Sequence, residues 1–168
     1  PTLRNPHNDA HDVAEILKKL GFEVVLGLDL DQQAFAGTID RFARALDGAD
    51  VVILAVPDTI IGKVAHEISP KLAAGTMVML LDAAAPFAGH LPDRKDLTYF
   101  VAHPCHPTIF NDEVEEAARR DYFGGGAAKQ SITSALMQGP ESAWDLGEEV
   151  AKTIYQPIKK SYRLTVDQ

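Results

Sequence analysis

Apolar positions along this chain switch repeatedly between a helical and a strand-like period. Val13, Ile16, Leu17 and Leu20 recur at helical spacing behind a cap at Asn8 or Asp9, with Lys18 and Lys19 in the last turn and Gly21 just beyond it. Residues 22–28 read as a strand. Residues 32–46 return to the helical period through Phe35, Ile39, Phe42 and Leu46, and Gly48 ends them. The continuous run 51–56 is β-branched and aliphatic and closes on Pro57, which is the pattern of a strand covered on both faces. Pro57 then opens a helix over 58–72, buried through Ile61, Val64, Ala65 and Ile68. Residues 77–81 form a further buried strand ending in Asp82, and 97–102 another. A short polar helix is expected over 112–120, a strand from about Ser131 to Met137, and an amphipathic helix over 144–155 with Leu146, Val150 and Ile154 inward. Short strands alternating with helices of this length predict an α/β fold, a Rossmann-like parallel sheet covered by helices on both faces.

The 168 residues suffice for one domain and perhaps part of another. The first residue is Pro1 and the last, Gln168, follows an apolar stretch, so both ends read as cut. The longest apolar run is far short of the ~20 residues of a spanning helix, and no signal segment opens the chain. A net charge of −8 argues against nucleic acid or an anionic membrane as partner. The single cysteine excludes an internal disulfide and points to a reducing, cytoplasmic location.

The chemistry concentrates in His103-Pro104-Cys105-His106-Pro107. Each proline fixes its own φ and pushes the preceding histidine toward extended geometry, so both imidazoles sit on a stiff segment at a strand end. Ligands of open parallel sheets bind outside the carboxyl ends of the strands. A rigid loop with backbone-bonded histidines is the simpler alternative. A metal- or anion-binding module through His103 and His106 is a second, needing a third ligand such as Asp82 or His90. Cys105 needs a neighbouring cation or base to act as a nucleophile, so packing explains it equally well. His7 and His11, four apart, read as a solvated helix face; no metal site is expected.

A dinucleotide fold begins with a strand and a glycine-rich turn, because only glycine lets the backbone approach the pyrophosphate. The segment 1–8 has neither. Asp29 and Asp31 follow the expected strand 22–28 as ribose-binding carboxylates would, but without the glycine turn the signal is weak. Gly124-Gly125-Gly126 has no strand leading into it.

From about Ala49 the strings Ala49-Asp50-Val51-Val52-Ile53-Leu54-Ala55-Val56-Pro57-Asp58, Ile61-Gly62-Lys63, Gly75-Thr76-Met77-Val78, Asp96-Leu97-Thr98-Tyr99-Phe100, the His-Pro-Cys-His-Pro motif, Phe110-Asn111-Asp112 and residues 125–130 resemble bacterial 6-phosphogluconate dehydrogenase-like oxidoreductases and their D-apionate oxidoisomerase relatives. The resemblance implies an NAD- or NADP-binding Rossmann domain followed by a helical domain, acting on a small-molecule sugar acid by hydride transfer coupled to rearrangement. It implies that Val56, Pro57, Asp58 and Asp82 lie on the coenzyme side. It also implies that His103, His106, Asn111 and Lys129, with Gln130, line the substrate cleft. Removing hydride from an alcohol carbon needs a base for the hydroxyl proton, and imidazole or a lysine amine can serve.

The first ~50 residues depart from that family. Asn5-Pro6-His7-Asn8-Asp9-Ala10, Leu20-Gly21-Phe22-Glu23-Val24, Leu28-Asp29-Leu30-Asp31 and Gly48-Ala49-Asp50-Val51 resemble the start of bacterial caspase-like peptidase domains. Val56-Pro57-Asp58 stands where those proteins carry a catalytic histidine turn, and no Asp-x-Cys string occurs, so proteolysis is not supported and a non-catalytic interaction segment is the remaining caspase-like reading. The expected organisation is a chimera or fragment: a caspase-like segment over 1–50, a Rossmann-like core over 51–140 without its first strand and glycine loop, and a helix opening a truncated helical domain over 141–168. Its coenzyme binding is expected to be impaired. Apolar surface around Tyr155, Ile158, Tyr162 and Leu164 is expected to be exposed or paired with a second copy in a homo-oligomer.

Overall fold

The aliphatic runs that dominate the middle of the sequence become the centre of a five-stranded sheet in the computed structural model, which describes residues 6–19, 21, 23–29, 31–110, 112–122, 124, 126–165 and 167. The chain divides into two compact units, residues 1–47 and 48–168.

The first unit contains α1 (Pro6–Lys19) and α2 (Gln32–Ala45). Helix α1 starts two residues before the expected cap at Asn8; proline is tolerated in a first turn because its missing N–H has no helical partner there. Asp31 is the N-cap of α2, its carboxylate accepting the Ala34 N–H at 2.8 Å. Asp29 has φ 44° and faces His7 Nε2 at 2.7 Å. These two carboxylates, weighed above as ribose ligands, are therefore engaged locally. The expected strand 22–28 does not form among the described residues. Residues 23–28 alternate between exposed and half-buried, as an extended segment does, but the unit's described residues offer no second strand, and a strand needs a ladder partner.

The second unit runs β1 (Val51–Leu54), α3 (Asp58–Ile68), a 3-10 turn Ser69–Lys71, β2 (Met77–Leu80), α4 (Ala84–Phe87), β3 (Thr98–Cys105), α5 (Glu116–Arg119), β4 (Gln130–Gln138), α6 (Ala143–Tyr155) and β5 (Ile158–Leu164). The strands lie in the order β1-β2-β3-β4-β5. The first three are parallel, β4 runs antiparallel to β3, and β5 is parallel to β4. The Rossmann-like α/β architecture is as expected, but the sheet is mixed. The reason lies in the β3–β4 connection: its one helix, α5, has four residues, where the sequence suggested nine. Such a helix cannot cover a sheet face as a parallel crossover requires.

One face of the sheet packs Met77, Met79, Phe100, Ala102 and Ile132 with Trp144 and Ala151 of α6. Gly147 is where α6 comes closest: a Cβ there would lie 2.5 Å from Cε2 of Phe100, so only glycine fits. On the other face Val52, Leu54, Val78, Leu80, Tyr99 and Val101 are buried, and α3 turns Ile61, Ala65 and Ile68 inward. Strand β1 stops at Leu54 and its Ile53 is 37% exposed, so it is not covered on both faces as its composition suggested. Among the described residues it is an edge strand of this sheet, with a neighbour on one side only.

Of the apolar residues expected to await a partner, Tyr162 is exposed in the single chain, and Tyr155, Ile158 and Leu164 are half-buried within it. Residues 158–164 form β5, and Tyr155 and Ile158 pack against the α6 core. The Tyr155 hydroxyl donates to Ala102 O at 3.2 Å, and burial pushes that phenol up to about 12. Arg163 ties β5 to α6: its guanidinium bonds Glu148 at 3.0 Å and lies 4.8 Å from the Trp144 ring centre.

Candidate active site

The strand directions gather the chemistry at one edge. Because β1, β2 and β3 are parallel, Val56-Pro57-Asp58, Asp82 and His103 all fall at their carboxyl ends. Because β4 reverses against β3 and β5 follows β4, the amino ends of β4 and β5, with Lys129, Lys159 and Lys160, reach the same edge; Cys105 pairs with Ser131, and Ser131 with Lys160.

His103 and Asp82 meet there, in a cavity of about 280 Å³ whose walls include Phe87, Val101, Ala135 and Met137. His103 Nδ1 lies 2.8 Å from Leu81 O, and a carbonyl only accepts, so Nδ1 carries the proton. That leaves Nε2 as the nitrogen free to take a proton. Asp82 Oδ2 lies 3.9 Å from the same Nδ1. The other carboxylate oxygen of Asp82 accepts the Ala84 N–H at 2.7 Å, which holds the side chain still. The motif is thus an ordered strand end: β3 continues through His103, Pro104 and Cys105.

His106 and Lys129 line a separate, adjacent hollow together with Cys105. Val56, half-buried, and Pro57 and Asp58, exposed, border neither cavity. Asn111 lies outside the described residues. Among the described residues no group of three or more histidine, cysteine or carboxylate side chains could hold a metal ion, and the metal-module alternative gains no third ligand.

Asp121, absent from the sequence-based candidates, shapes the approach to Lys129. Its carboxylate accepts backbone N–H groups from Gly124, Gly126, Ala127 and Ala128 at 2.8 to 3.1 Å. The only signal for it was an aspartate three residues before a glycine run. Gly124, with φ +74°, is wedged so that a Cβ would sit 3.1 Å from both Pro107 and Gln130. Gln130 is buried, its amide donating to Tyr155 O at 2.7 Å, so it anchors the loop to the end of α6. The N–H of Ala128 foremost, then those of Ala127, Gly126 and Gly124, hold the Asp121 carboxyl below its usual range. A depressed carboxylate contributes stability above its unfolded pKa and loses it as pH falls through the folded one. The protection factors of the amides of residues 126–128, taken against the intrinsic exchange rate at each pH, are therefore expected to fall on acidification. In Asp121→Asn they are expected to be low already at pH 7 and to fall no further in acid, and equal protection in the two proteins would contradict this role.

A dinucleotide needs backbone donors at a helix start for its phosphates. Three of the described helix starts are short of such donors. Helix α3 is preceded by Pro57 at its N-cap, which has no N–H, and opens on the Asp58 carboxylate; α2 has one donor taken by Asp31, and the short α4 one by Asp82.

Comparison with known proteins gives two separate likenesses. Residues 111–168 match the family Phosphogluconate dehydrogenase (decarboxylating) C-term, and residues 1–56 match the Caspase domain family. A D-apionate oxidoisomerase from Cupriavidus necator is 82% identical over 124 residues, which are 74% of this chain and 45% of that protein. From about residue 49 onward, this chain resembles the D-apionate oxidoisomerases. The one from Rhizobium rhizogenes is 68% identical over 125 residues, 74% of this chain and 46% of its own length. The chain thus spans about half the length of the oxidoisomerases it matches. Among solved structures, an NAD-binding semialdehyde dehydrogenase from C. necator, in complex with calcium and NAD, superposes with a TM-score of 0.75 at 68% identity, covering 92% of this chain and 51% of that one. An oxidoreductase from Jannaschia sp. gives 0.74 at 45% identity, covering 92% and 50%.

Proposed function

We propose that this chain carries the substrate side of an NAD(P)-dependent oxidoreductase acting on a sugar acid, with a weakened hold on the coenzyme. The observation that carries the reading is His103: its Nδ1–H is fixed on Leu81 O beside Asp82, at the carboxyl end of a Rossmann-like sheet. Likeness to the D-apionate oxidoisomerases and to an NAD-bound structure supports the substrate and coenzyme classes. In this reading Nε2 takes the hydroxyl proton of the bound acid, Asp82 stabilises the resulting imidazolium, and Phe87, Val101 and Met137 exclude water from the reacting carbon. We assign the caspase-like segment to residues 1–50, joined near Gly48 to a Rossmann-like core over 51–140 and a closing segment over 141–168 whose α6 packs on the sheet and whose β5 extends it, in a reducing, cytoplasmic setting. The two family matches and the compact unit ending at Asp47 support that division. No helix among the described residues is long and apolar enough to cross a membrane.

Imidazole nitrogen NMR tests the site without requiring turnover. In the free protein His103 is expected to show the Nδ1–H tautomer, and titration with L-threonate, a four-carbon sugar acid, is expected to shift its Nε2 resonance. A His103 signal that ignores saturating threonate would remove the histidine from the substrate site.

A further inference from the structure

Beside the His103 cavity lies a second hollow of about 660 Å³, which shares Thr133 and Leu164 with it. Lys129, Lys159 and Lys160 line it with His106 and the hydroxyls of Ser131 and Tyr162, and Glu113 is the one carboxylate in its lining. In a chain of net charge −8 this is a local reversal of sign. Lys129 and Lys159 form no ion pair among the described residues, and Lys160 Nζ rests 4.6 Å from the centre of the Tyr162 ring. Lysines lining one concavity give it a positive potential, and concave walls concentrate that field on whatever enters. An anion is the ligand such a field favours.

We propose that this lysine-lined hollow binds the carboxylate of the sugar acid and so aims its carbon chain at His103. The proposal rests on the sugar-acid reading above and adds the anchor to it. His103 pairs with Thr133 and Cys105 with Ser131, so the two hollows are offset by two strand positions, about 7 Å. That offset matches the length of a four- or five-carbon acid, and Thr133 lies on the path between them. The hydroxyls of Ser131 and Tyr162 suit a polyhydroxy chain, whereas an aliphatic acid would leave them unused.

Calorimetric titration with L-threonate, with the neutral alditol threitol and with inorganic phosphate tests the assignment. The intact protein is expected to bind threonate, to bind it less well as salt rises, and to bind threitol at least tenfold more weakly. The double variant Lys159→Gln/Lys160→Gln is expected to weaken threonate at least tenfold with an unchanged melting temperature. Lys160→Arg is expected to stay within about threefold of the unmodified chain, since it keeps the charge. If the double variant loses its melting transition, Lys159→Gln alone carries the test. Threonate affinity unchanged in the lysine variants overturns the anchor; if His103→Gln then abolishes binding, the sugar-acid reading survives without it. Phosphate displacing threonate at lower concentration also overturns the proposal, assigning the hollow to a phosphate group instead. No threonate binding by the unmodified chain overturns both readings together.

Discussion

Phe100→Ala is expected to cost about 3–5 kcal/mol of stability, a large part of the roughly 5–15 kcal/mol that holds a domain together. The ring is completely buried in β3 and meets Trp144 edge to face, with centroids 5.3 Å apart and planes at 81°. Its sheet neighbours are Met79 and Leu136. What sets this site apart is the helix above it: at Gly147 the α6 backbone itself rests on the ring. A hole left by alanine is bounded by helix backbone, and helix backbone cannot fold inward as a flexible side chain can. The penalty therefore includes an uncollapsed cavity as well as the lost burial. Urea unfolding of both proteins measures it, and a loss below about 1.5 kcal/mol would mean that α6 moves in to fill the space.

NAD or NADP titrated to millimolar concentration is expected to give no saturable binding to this chain. A dinucleotide site draws much of its affinity from backbone N–H groups aimed at the pyrophosphate, each such charge-assisted bond contributing about 1.5–3 kcal/mol. Here Pro57 contributes no N–H before α3, which opens on the Asp58 carboxylate, and the Asp31 and Asp82 carboxylates each take one N–H at the starts of α2 and α4. Two or three missing bonds amount to roughly 3–9 kcal/mol, or about two to six powers of ten in affinity. Calorimetry returning a micromolar dissociation constant would show that the phosphates are held by groups other than these helix starts. The same experiment separates coenzyme from substrate, because threonate binding at the His103 edge draws on different residues.

Most of the element order was legible because it depends on local periodicity. Residues 51–54, 77–80 and 98–105 are strands and 143–155 a helix, within a few residues of where the apolar spacing put them. The misses share one cause. Residues 23–28 carry a strand-like alternation but find no ladder partner among the described residues of their unit, and β5, whose exposed Lys159 and Lys160 dilute its apolar signal, forms because β4 supplies one. Strand pairing is a long-range fact, and composition reports it poorly.

The sequence by itself determined the strand-end position of the His-Pro-Cys-His-Pro motif, because proline geometry is local and the apolar run ahead of it can only be a strand. It also determined the absence of a glycine-rich phosphate turn within these residues. Only the tertiary structure decided that β4 turns back against β3, and with that reversal which side chains become neighbours. It brought Lys159 and Lys160 within reach of a cleft that opens more than fifty residues earlier, and set Asp121 under the loop that carries Lys129. Side chains remote in sequence meet through backbone hydrogen bonds whose partners no local pattern specifies, so the lysine-lined edge became visible only once the sheet was assembled.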